Sequence, residues 1–139
     1  MKSHYLLISV FAIISICIES CQEVDNHPDP ILVELGTSFD IRYEETVQIK
    51  DEGIQLTFMA ISDDSRCPEN VVCVWQGRVA IVLNAGTIDI PLSVGAVSEP
   101  TKSFKNYSVT FQEVIAPMLN TEKTIKKSDY IVQLLVEKQ

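Results

Sequence analysis

Apolar and polar residues alternate along most of this chain with the two-residue period of β-strands, and no window carries a helical 3.6-residue period. Phe39, Ile41 and Tyr43 share one side of a segment whose other side holds Asp40 and Arg42. Val47 and Ile49 resume the pattern, and Asp51-Glu52-Gly53 predicts a hairpin into Ile54 to Ile61, with Ile54, Leu56, Phe58 and Ala60 on one face. Arg78 to Leu83 is apolar enough to predict a strand buried on both faces. Asn84-Ala85-Gly86 turns the chain into Thr87 to Leu92, where Pro91 points to a sheet edge or a strand end. Residues 93–105 contain Gly95, Pro100, three serines and two lysines, which predicts the longest and most flexible loop. Tyr107, Val109 and Phe111 alternate again, Val114 and Ile115 lead towards Pro117, and Tyr130 to Val136 closes the pattern after a polar connection. Short strands at this spacing, without an internal repeat, predict an all-β fold: an antiparallel β-sandwich or barrel-like sandwich of about seven to eight strands.

The first residues depart from that period. Met1, Lys2 and His4 precede Tyr5 to Ile18, an apolar run short for a bilayer span and suited to the core of a signal peptide. Ile18-Glu19-Ser20-Cys21 resembles a bacterial lipobox, with Ile18, Ser20 and Cys21 carrying the match. The resemblance implies a signal peptide over 1–20, a lipid on Cys21 and a bacterial cell-envelope location at the outer membrane, facing the periplasm or the surface. Acyl chains on Cys21 would hold the chain to a membrane that its folded part need not touch. Gln22-Glu23-Val24-Asp25 is similar to the acidic export signal of some surface lipoproteins. Residues 21–30 read as a solvated tether, rich in Asn, Asp and Pro, which leaves 31–139 as a single β domain.

Charge and histidine content narrow the function. The net charge of -8 argues against nucleic acid, whose binding rewards clustered Lys and Arg. It also argues against adsorption to an anionic membrane by charge alone. His4 and His27 fall in the leader and the tether, so the body lacks the usual base for a Ser or Cys nucleophile and the commonest nitrogen ligand for zinc. No cofactor and no metal are expected, and no catalytic residue is assigned. A carboxylate-dependent hydrolase remains as an alternative, but neighbouring Asp63 and Asp64 on a strand point to opposite faces.

What chemistry the body carries is concentrated between Asp63 and Arg78. Cys67 and Cys73 in an exported chain read as a disulfide, ahead of a metal site or a redox pair, and close a small ring. Asp63, Asp64, Ser65, Glu69 and Asn70 offer oxygen ligands, yet their spacing departs from calcium loops and suits local turn hydrogen bonds better. Arg66 is expected to pair with Asp64 or Glu69 at the surface, where such a pair is worth little. Trp75 is expected in the core with its indole N–H on a carbonyl, and Gly77 at a bulge or a conformation closed to other residues. Pro68, Glu69, Asn70, Val71 and Val72 form the candidate binding loop.

Asp64-Ser65-Arg66-Cys67-Pro68 followed by Cys73-Val74-Trp75-Gln76-Gly77 resembles a signature of a family of small exported bacterial proteins, many of them lipoproteins. The resemblance implies the architecture and assigns no activity. The expectation is therefore a non-enzymatic, lipid-anchored envelope module that binds an unknown protein or glycan. A protease inhibitor presenting the Cys67–Cys73 loop is the alternative from another class, and a structural spacer is the neutral one.

Overall fold

The structure, a computed structural model, describes residues 29–139. The leader, Cys21 and His27, and with them the lipid-anchor expectation, lie outside the described residues. Nine strands follow in order: β1 Ile31–Val33, β2 Phe39–Arg42, β3 Thr46–Ile49, β4 Ile54–Asp64, β5 Arg78–Ala85, β6 Ile88–Gly95, β7 Thr101–Phe104, β8 Tyr107–Ala116 and β9 Ile131–Lys138. One 3-10 turn, Lys127–Asp129, precedes β9. They form two sheets, β1-β3-β4-β5-β6 and β2-β9-β8-β7, antiparallel throughout except for the β1–β3 pair.

The period-2 alternation of the sequence becomes the core. Ile54, Leu56 and Phe58 of β4, Val79, Ile81 and Leu83 of β5, and Val132, Leu134 and Val136 of β9 are buried, as are their counterparts on β8. No polar or charged residue is buried among the described residues, so the sandwich is held by apolar contact between the two inner faces.

Several sequence expectations need correction. Nine strands stand among the described residues where about seven to eight are expected, because the four-residue β7 is too short for alternation to reveal. Residues 93–105 are not one long loop: β6 runs through Gly95 and β7 begins at Thr101, where the Thr101 and Thr110 hydroxyls bond across the strands. Strand β5 is buried on one face only, since Ala80 and Val82 lie half-buried on the outer side. Strand β4 carries bulges at Met59 and Ser62, each adding a residue opposite β5. The first bulge changes the phase, so Ile61 and not Ala60 continues the inward face of Phe58. Gly77 is constrained by proximity and not by a left-handed backbone: a Cβ there would meet the Arg66 Cα at 2.4 Å.

Pro91 does sit on an edge strand, β6. The Ser93 N–H is taken by the Glu99 carbonyl at 2.9 Å, and Pro91, two residues earlier on the same side, has no N–H to offer. Two donors are thereby removed from an edge that would otherwise be open to strand addition.

Candidate functional site at the disulfide clasp

Strands β4 and β6 end, and β5 begins, at the same end of the first sheet; β8 ends and β9 begins at the corresponding end of the second. Three loops therefore gather there: residues 65–77, 96–100 and 117–130. The first contains the Cys67–Cys73 disulfide, with Cα atoms 5.9 Å apart.

Its base is latched to β5. Ser65 donates its N–H to the Arg78 carbonyl at 2.8 Å, and its Oγ accepts the Arg78 N–H at 3.1 Å. Asp64 accepts two hydrogen bonds from the Arg66 guanidinium, at 2.9 and 2.7 Å, and one from the Tyr130 hydroxyl at 2.7 Å. With the Asp64 side chain 8% exposed, this is a protected ion pair, unlike the weak surface pair expected of Arg66. Burial pushes the Asp64 carboxyl upwards, but the hydrogen bonds from Arg66 and Tyr130 outweigh it and hold it below the usual range. Burial, reinforced by the Asp64 carboxylate, pushes the Tyr130 hydroxyl up to about 12. Asp63, on the opposite face, pairs with Arg78 at 2.9 Å, so the two carboxylates do not face each other.

The clasp is also tied sideways. Glu69 donates its N–H to the Leu119 carbonyl at 2.9 Å, and Asn70 exchanges two hydrogen bonds with Thr121, at 2.7 and 3.1 Å. Ala96 donates to the Gly77 carbonyl at 3.2 Å, and a Cβ on Gly95 would meet that oxygen at 2.3 Å. One flanking loop is thus held against each side of the clasp.

The expected burial of Trp75 is overturned: it is 58% exposed, because β5 begins only at Arg78 and the indole lies beyond the end of the sheet. Its N–H still finds a carbonyl, that of Ser65, at 3.2 Å. Within the candidate loop Pro68 is half-buried and Glu69 and Asn70 are engaged, while Val71 projects and Val72 is fully exposed. Sequence reasoning missed Val74, 99% exposed, Val97 on one flanking loop and Met118 on the other. The signal for Val97 was an isolated apolar residue in the turn-forming run Gly95 to Pro100; it adopts a φ of 48°, rare for a β-branched residue.

A groove of about 480 Å³ on the outer face is lined by Arg78, Ala80, Ser93, Val97 and Glu99 among others. Its lining has a single carboxylate, Glu99, which Lys102 already holds. Among the described residues no three or more His, Cys, Asp or Glu gather to hold a metal ion, and no helix is long and apolar enough to cross a membrane. The clasp end instead offers exposed valines, an indole and a thioether on braced loops, which is the chemistry of contact with another apolar surface. Comparison with protein-family models, with curated proteins and with solved structures finds no match.

Proposed function

We propose that the protein is a binding or accessory module of a bacterial cell envelope, held by a lipid on Cys21 at the outer membrane, with the clasp end as its contact surface. The observation that carries this reading is the full exposure of Val72 and Val74 on a loop braced by a disulfide and by both neighbouring loops. Exposed aliphatic side chains cost solubility, and bracing lowers the conformational entropy lost on binding.

Two measurements test it. Labelling of cells with radioactive palmitate should mark the wild-type chain and not Cys21→Ala; equal labelling of both removes the anchor. A photo-crosslinking side chain at position 74 should give adducts in intact cells, whereas one at Gln55, on the outer face of the first sheet, should not. Equal yields from the two positions remove the clasp as the contact surface.

A second reading, protease inhibition by the same loop, is favoured by the projection of Val71 and Val72 that it requires. It is sunk if proteases cut the loop without being inhibited.

A further inference from the structure

We infer that the surface met by the clasp end is the lipid bilayer to which the tether holds the domain. This rests on the anchored reading given above, and three observations carry it beyond that reading.

The first is shape. Val72, Val74 and Val97 are 100%, 99% and 95% exposed, and Trp75 and Met118 are more than half exposed. Val97 stands at the groove on the outer face, while Val72 and Val74 project from the clasp with almost no protein contact; the interfacial region of a bilayer accepts such side chains without a matching cleft. Valine and methionine offer the hydroxyls of a glycan no hydrogen bond, and the one polar atom of the indole is already given to the Ser65 carbonyl. Tryptophan, apolar in body with one polar N–H, favours the headgroup depth of membranes.

The second is direction. Strand β1 is parallel to β3, which is antiparallel to β4, and β4 runs towards the clasp end. The chain therefore enters β1 from the clasp side. Ile31 lies level with Val47 and, through it, with Leu56, so the end of β4 at Asp64 is roughly 20 to 26 Å further on. Nine residues lie between Cys21 and Ile31, and the ten steps from one to the other span at most about 33 to 36 Å when fully extended. An extended tether can thus carry Cys21 past the level of Asp64, on the side of the molecule where the clasp projects, with little slack.

The third is charge. The chain is strongly acidic, but Lys123, Lys126 and Lys127 are exposed on the loop of residues 117–130 at this same end. Arg66 and these three lysines balance Glu69, Glu99, Glu122 and Asp129 on the same three loops, so this end has no net charge to repel headgroup phosphates, while the acidic excess lies on the rest of the chain.

Trp75 is the sole tryptophan, so its fluorescence reports this end of the molecule alone. The full lipidated chain would be reconstituted in vesicles of phosphatidylethanolamine and phosphatidylglycerol, with and without brominated acyl chains. The inference expects a blue-shifted Trp75 emission that brominated lipid quenches. In Val72→Asp/Val74→Asp, which alters fully exposed positions and should leave the circular dichroism unchanged, the chain stays vesicle-bound and both effects are lost.

A water-like, unquenched Trp75 on vesicle-bound wild type overturns the inference, as does quenching undiminished in the double variant. A blue shift that appears only with added envelope proteins, without lipid quenching, overturns it in favour of a protein partner. Palmitate labelling separates these results from failure of the anchor itself: with Cys21 labelled and Trp75 still in water, only the bilayer contact falls.

Discussion

The Asp64 carboxylate is the most committed polar group at the clasp end, accepting from Arg66 and from Tyr130 sixty-six residues away. The Tyr130 bond fixes a pH dependence. Its hydroxyl titrates near 10 in an unfolded chain and at about 12 in the folded one, so the protonated form favours the fold. That stability is fully present below about pH 10 and is lost as pH rises towards about 12. Tyr130→Phe should lower stability at neutral pH by about 1 to 2 kcal/mol and flatten the alkaline fall, read from urea midpoints between about pH 9 and 12. Tyr107, raised by its hydrogen bond to Glu52, remains in both proteins and contributes to the residual slope. The sequence placed Asp64 and Arg66 together, since two residues separate them. It could not show Tyr130, whose contribution depends on how far β9 reaches, nor that Tyr130 shields a pair that otherwise looks like ordinary surface charge.

At the scale of elements, close approach governs how the clasp joins the sheets. Arg66, Gly77 and Gly95 stack backbone on backbone, and only a missing Cβ makes the spacing possible at the two glycines. Gly77→Ala should therefore cost about 3 kcal/mol, more than a surface-loop glycine would, because the new methyl meets main chain that has no rotamer to yield. Thermal or urea unfolding checks this, with Gly36→Ala as the comparison: a Cβ there meets nothing within 4 Å, so its cost reflects only the positive φ of 75°. Alternation made β2, β3, β8 and β9 legible because each has one buried face, whereas β5 was legible as an apolar run that concealed its one-sided burial. It failed where the period is broken or too brief to register: the β4 bulges invert the phase after Phe58, and β7 offers four residues. Trp75 was misplaced for a related reason. Apolar character located it near a strand, but the strand begins three residues later, and a side chain beyond the last rung has no opposite sheet to pack against.

Over the whole molecule the order of strands in space departs from their order in the chain. Strand β9 lies between β2 and β8, pairing Phe39 with Leu134 and Val109 with Val136. Removing residues 131–138 should leave no cooperative unfolding transition, because the second sheet loses the strand that joins its halves and the core loses Val132, Leu134 and Val136. Circular dichroism against temperature checks it; a retained sharp transition would show the first sheet to be self-sufficient. Such distant pairings also place folding in the slow, millisecond-to-second range typical of sandwiches. Under the proposed export of the chain, the same placement of β9 would act as a timer. A polypeptide threaded through a narrow channel N-terminus first cannot close its second sheet until its last strand has emerged, so this domain would remain pliable throughout the passage and lock only on the far side.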